Sequence, residues 1–321
     1  AIIEGGNLDV LKRACLAPGF RLAPAEIISA ARFGQTHIFE WFMDQPALNK
    51  GPFLWALKLA VKGGHLDILK AFIARADKYP DDEVWHPKWD MIREYTFRKG
   101  NVEIFEFVLA HGTFEQDIRT FVQEYPIIEL LSLNGHLEML QWLVARLEVE
   151  NFPHIINHTK NNCMNTKRAA EYGYFEMLKW MGGNGFKFPG DAITAAAKEG
   201  QLECIVYLRE RGCNITPTVS KVSVNRAQIH VLRWAIENGC KWVPQWTLDQ
   251  LEQIDTEETS AGIWHARHIR QGTVHENFGE DLQWVIQRAH QQITDDKLAT
   301  EEKQRRKDEK DRREAKKRKA A

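Results

Sequence analysis

Cysteine is scarce in this sequence, with five in 321 residues. So few give no disulfide framework, and the expected compartment is a reducing one. No apolar run approaches the roughly 18–20 residues that a membrane-spanning helix needs. The opening residues, Ala1 to Asn7, lack the charged start and long apolar core of a signal peptide. The first residue is not Met, so an upstream start is expected. Net charge is also nearly absent: 43 Lys+Arg stand against 44 Asp+Glu, for −1 overall. That balance excludes a chain that is basic throughout but leaves room for a local basic segment. There is no P-loop, no H-E-x-x-H, no C-x-x-C and no G-x-S-x-G, so the common nucleotide, metallohydrolase, redox and serine-hydrolase signatures are missing. Hydrophobic residues, at 44%, are abundant enough for a sizeable core.

What is present is a repeat. The phrases GNLDVLKR (from Gly6), GQTHIFEWF (Gly34), GHLDILKAF (Gly64), GNVEIFEFV (Gly100), GHLEMLQWL (Gly135), GYFEMLKWM (Gly173) and GQLECIVYL (Gly200) share one pattern. An eighth, AQIHVLRWA, begins at Ala227 without the glycine, and a weak ninth ends in Leu282-Gln283-Trp284. The steps between starts are 28, 30, 36, 35, 38, 27 and 27 residues. Counting from each start, positions +4, +5 and +8 are apolar, as in Ile38/Phe39/Phe42 and Ile68/Leu69/Phe72. That spacing puts one stripe on one face of a helix. Position +7 is usually aromatic (Trp41, Phe107, Trp142, Trp180, Tyr207, Trp234), and such rings can fill the gap between neighbouring repeats. On that reading Trp142→Ala or Trp180→Ala costs about 3–5 kcal/mol. Position +3 is usually acidic, which suits the first turn of a helix. Glycine returns at +12 (Gly112, Gly185, Gly212, Gly239), where it reads as a left-handed C-cap. An Ala-rich helical stretch precedes each start, for example Ala30-Ala31 and Ala195-Ala196-Ala197. The expected unit is helix, tight turn, longer helix, glycine cap, loop.

The stretch Ala196-Ala197-Lys198-Glu199-Gly200-Gln201-Leu202-Glu203, with its terminal glycine, resembles the second half of an ankyrin repeat. The family's T-P-L-H opening is missing; Ala192-Ile193-Thr194 stands where it would be. The +7 Trp and the Gly-Cys endings are similar to those of the divergent, Trp-rich ankyrin proteins of giant DNA viruses, amoebae and oomycetes. The resemblance implies an all-α, ankyrin-like helical-hairpin solenoid over residues 1–245. Residues 246–296 are expected to form a helical capping region, and residues 297–321 a charged C-terminal helix. That tail holds 12 basic and 6 acidic residues, with acid-before-base pairs at i,i+4 such as Glu302/Arg306 and Glu309/Arg313. It has no apolar face to pack on a core, and it ends in the basic cluster Lys316, Lys317, Arg318 and Lys319.

Candidate sites are few. Cys213 and Cys240 each follow a +12 glycine, so they read as one structural column rather than a metal pair. His265, His268 and His275 cluster in the cap without a specified third ligand, and no metal or cofactor is expected. His65 and His136 read as turn residues. Gly182-Gly183-Asn184-Gly185 is glycine-rich, but no strand precedes it to form a phosphate cradle. Ankyrin arrays bind partners through loop tips and inner helices. The resemblance therefore implies contact through Phe186, Lys187 and Phe188, through Asn214, and through Lys241 and Trp242. The alternative is that Phe188 and Trp242 pack on the next repeat's loop. The insertion at 77–90 adds Trp85 and Trp89, either as a partner loop or as cover for a repeat edge.

Three functions follow as expectations. The first is a non-catalytic protein–protein interaction scaffold, cytoplasmic or nuclear, with no membrane contact. The second is a nuclear or nucleic-acid-associated protein acting through the basic tail. The third makes this chain an accessory region of a larger enzyme, although no residue in it supports catalysis.

Overall fold

A computed structural model describes residues 3–17, 22–45, 51–82, 85–111, 127–149, 157–158, 160–251 and 277–320, excluding the side chains of 148–149 and 313–320. The described residues form seventeen α-helices and no strand, so the fold is all-α. None of these helices is long and apolar enough to cross a membrane. The chain divides into two compact units, Ala1–Lys160 and Asn161–Ala321.

The first unit holds α1 (Leu8–Cys15), α2 (Pro24–Arg32), α3 (Thr36–Met43), α4 (Pro52–Gly63), α5 (Leu66–Lys78), α6 (Trp89–Lys99), α7 (Val102–His111), α8 (Ile127–Asn134) and α9 (Leu137–Val149). Each repeat is a hairpin of two helices. The first helices form one layer, with α2 against α4, α4 against α6 and α6 against α8. The second helices form another, with α3 against α5 and α7 against α9.

The second unit repeats the scheme with α10 (Cys163–Glu171), α11 (Phe175–Gly183), α12 (Ala192–Lys198), α13 (Leu202–Glu210), α14 (Pro217–Asn225), α15 (Ile229–Glu237), α16 (Pro244–Leu251) and α17 (Phe278–Ala320). Helices α10, α12, α14 and α16 pack in order, and α11 packs on α13. The start of α17 lies against both α15 and α16. It therefore takes the second-helix place of a ninth hairpin, with Val285 and Ala289 buried.

The columns explain the packing. After the first copy, where Val10 is exposed, the +4, +5 and +8 residues are buried, among them Ile38, Phe39, Phe42, Ile104, Phe105, Val108, Met177, Leu178 and Met181. Ala30, Ala60, Ala169 and Ala196 are buried four positions before their starts, where a small side chain lets the first helices approach. Thr96 and Ser223 occupy the same buried column and return their hydroxyls to the carbonyls of Ile92 and Val219, at 2.8 Å each. That leaves no hydroxyl unsatisfied.

The first helices end on a left-handed turn, and the second helices α11, α13 and α15 of the second unit end the same way, whereas α3 and α5 close at Asp44 and Tyr79 without one. The residue after the turn glycine donates its N–H to a carbonyl five back, as in Gln35 to Ala30 (2.9 Å) and Gln201 to Ala196 (3.0 Å). The same bond closes these second helices, with Phe186 to Met181, Cys213 to Leu208 and Cys240 to Ala235. This geometry needs a left-handed residue. Glycine supplies it at every start but one; Ala227 holds φ +49° in its place.

Candidate partner-binding surface

Consecutive hairpins are joined by polar side chains of the residue just after each start. Gln35 Nε2 donates to the Glu4 carbonyl (3.1 Å), His65 Nε2 to the Arg32 carbonyl (3.0 Å) and His136 Nε2 to the Arg98 carbonyl (2.8 Å). A carbonyl can only accept, so these imidazoles carry their proton on Nε2. A Cβ on Gly34 would come within 2.6 Å of His65 Nδ1, so this glycine is required by space as well as by φ. The turn histidines are thus inter-repeat staples, a role the sequence reading placed only as far as the turn.

The loop tips are pinned as well. Thr166 Oγ1 donates to the Lys187 carbonyl (2.7 Å), and Ser220 Oγ donates to the Lys241 carbonyl (3.2 Å). Each bond ties the loop after a cap to the first helix of its own repeat. Lys187 and Lys241 are exposed on these two pinned tips, and Asn214 is exposed on the tip after Gly212, where Ile193 takes the place of the hydroxyl residue.

The aromatic candidates fare differently. Phe186 is only 4% exposed, next to the Trp180 ring at 5.8 Å, in the column shared by Cys213 and Cys240. Trp85 is 3% exposed, between the rings of Phe53 (5.2 Å) and Phe72 (5.6 Å). Both are core residues and offer nothing to a partner, because the C-cap bond in one case and a gap in the core in the other turns the ring inward. Trp89 is half-buried on the same core as Trp85. Phe188 is half-buried, edge-on to Tyr207 at 6.2 Å, and Trp242 packs on the cluster of Val224, Ile229 and Leu232. These contacts are with helices and not with the next repeat's loop: Tyr207 lies on α13, and Val224, Ile229 and Leu232 lie on α14 and α15 of Trp242's own repeat. The basic cluster Lys316–Lys319 lies on the backbone of α17, with its side chains outside the described residues. Residues 265, 268 and 275 also lie outside them.

Apart from Tyr207, which is buried, the +7 rings are half-buried rather than enclosed. Trp142 stands edge-on to Phe105 of the preceding repeat at 5.3 Å and donates its Nε1–H to Glu106 (2.7 Å). Beside it, an open groove of about 780 Å³ between α7 and α9 is lined by Asn101, Glu103, Glu106 and Glu138. Gly182 faces the Tyr207 hydroxyl so closely that a Cβ would clash; the glycine-rich stretch serves packing here.

All five cysteines are free thiols. Burial, helped by Glu203, pushes the Cys204 thiol up to about 11, and burial also raises Cys213 and Cys240. Among the described residues no group of three or more His, Cys, Asp or Glu side chains is placed to hold a metal ion.

One exposed aromatic escaped the sequence reading. Trp55, on α4, is 62% exposed. Its sequence neighbours are apolar on every side, so periodicity there does not separate surface from core. No protein-family model matches the chain, and no curated protein shows detectable similarity to it.

Proposed function

We propose that this chain is a non-catalytic protein–protein interaction scaffold of ankyrin type, working in the cytoplasm or nucleus. The observation that carries the reading is the double pinning of the hairpins, by the staples at Gln35, His65 and His136 and by the hydroxyl bonds of Thr166 and Ser220 to the loop tips. Surfaces fixed in this way lose little freedom when a partner docks. The raised thiols of Cys204, Cys213 and Cys240 support a role without chemistry at those residues.

A second reading, nucleic-acid or nuclear association through the tail, draws on the charge order along α17. Residues 290–302 carry a net −3, and residues 303–319 a net +7. The two readings separate in an affinity purification of the intact chain and of residues 1–296, each with and without nuclease. Protein partners that survive both truncation and nuclease are the expected outcome for a scaffold. Loss of all partners under either treatment moves the function to the tail.

A further inference from the structure

The first-helix layer of the first unit presents stripes of exposed and half-buried residues, at spacings i, i+3, i+4 and i+7. On α4 this stripe is Trp55, Lys58, Leu59 and Lys62. The last stripe position is cationic in three successive repeats: Arg32, Lys62 and Arg98, all exposed. The backbones of Arg32 and Arg98 are held by the His65 and His136 staples, so the row is anchored at both ends. Arg98 is shared with Glu94 through an exposed ion pair at 2.8 Å, which neutralises little in water. Arg32, Lys58 and Lys62 have no carboxylate partner among the described residues. Lys58 instead lies 4.5 Å from the centre of the Trp55 ring and 4.5 Å from that of Tyr95 on the neighbouring α6. Its ammonium rests between two aromatic faces while the Trp55 ring stays 62% exposed.

We propose that this stripe is a docking surface for an acidic peptide segment with an apolar residue set against Trp55. The proposal rests on the scaffold reading and names the chemistry of its partner. Charge complementarity selects the occupant: three cations in a row and a fourth over an aromatic pair, the latter with no carboxylate partner among the described residues, since Glu94 on α6 is engaged by Arg98. Packed helices lie about 8–10 Å apart, and an extended chain advances about 3.3 Å per residue. Carboxylates at every third residue of a partner strand therefore meet successive cations of the row. Half-buried apolar side chains of the same stripes, such as Leu59, favour a peptide over a nucleic acid.

The test is fluorescence anisotropy on the full chain with three labelled probes. The first is a twelve-residue peptide with Glu at every third position and Phe among the intervening residues. The second is its Lys-for-Glu counterpart, and the third is a twelve-nucleotide single-stranded oligodeoxynucleotide. The acidic peptide is expected to bind at least tenfold more tightly than the lysine peptide. Trp55→Ala and Lys62→Glu should each weaken it at least tenfold, and Lys70→Glu, exposed on the second-helix layer in α5, by less than twofold. Because Trp55 is exposed, thermal melts of its variant should match the parent and exclude misfolding. Equal binding of both peptides, no binding, indifference to Trp55→Ala, or tighter binding of the oligonucleotide overturns the proposal. If the acidic peptide fails while truncation- and nuclease-resistant partners persist in the purification, the scaffold reading stands and only this surface is lost. If those partners vanish, the scaffold reading itself fails.

Discussion

Ala227 shows how strongly this architecture dictates a single residue. Its φ of +49° is one that L-residues rarely adopt, and it is imposed because the turn must still deliver the Gln228 N–H to the Ser223 carbonyl at 2.8 Å. Ala227→Gly should relieve that strain and stabilise the protein by about 0.5–1 kcal/mol, net of the extra freedom glycine gives the unfolded chain. A raised urea midpoint would show it; an unchanged midpoint would mean the turn carries no strain. His65 makes the opposite case. His65→Ala removes one inter-repeat hydrogen bond and should cost about 0.5–1.5 kcal/mol. The +7 rings cost less to remove than periodicity alone implies. Trp142 is half-buried, so Trp142→Ala should cost about 2 kcal/mol, below the 3–5 kcal/mol of an enclosed aromatic. Phe105, with no exposure, should reach that higher range when truncated to Ala. Chemical denaturation of the pair ranks them, and the reverse order would invert the assignment of core and seam. Cys204, raised to about 11 by burial and Glu203, should resist thiol reagents at pH 8 until the protein unfolds. The thiolate attacks, and it forms only as pH approaches the raised value. Labelling at the rate of an unhindered thiol would contradict the burial.

At the scale of elements, α17 is two helices in one. Its first turns complete a hairpin: Val285 and Ala289 are buried, and Asp281 pairs with Arg233 at 3.0 Å. From Thr294 to Arg312 every residue is exposed, and the helix continues on local pairs alone. Gln291 reaches Asp295, Gln304 reaches Asp308, and Arg306 reaches Glu302 at 2.6 Å. Such pairs contribute about 0.2–0.5 kcal/mol each. Deleting residues 297–321 should therefore leave the melting temperature within about 2 °C, since no buried contact is lost. Deleting the whole of α17 should lower it by several degrees. Circular dichroism on both truncations checks this, and a large loss from the shorter deletion would mean that the tail packs somewhere. In the sequence, the charged end of this helix was legible from its i,i+4 pairs, and its apolar start only as a faint ninth copy. The continuous helix across the two was not legible, because the chemistry changes while the backbone geometry does not.

On the whole molecule, repetition made the hairpin unit readable. Eight copies place the same apolar columns and the same turn in register, four of them add the glycine cap, and burial follows the columns in both units. The division at Lys160 and Asn161 falls in the longest step, the 38 residues from Gly135 to Gly173; the extra chain was readable there, but a change of compact unit was not. Candidate surface residues divided in the same way. Lys187, Asn214 and Lys241 are exposed where the loop reading put them, while Phe186 and Trp85 turned inward.

The sequence by itself determined the all-α class, the helical pairs, the glycine turns and the alternation of buried and polar columns. These are local matters, set by periodicity of about 3.6 residues and by backbone conformations that few residues tolerate. Tertiary structure decided which aromatics are core and which are surface. A ring at a given spacing is apolar in either place, and only the neighbouring helix covers Trp85 or leaves Trp55 in water. It also decided what the turn histidines bond to, because their acceptor lies 33 residues away for His65 and 38 for His136, beyond the reach of any local pattern.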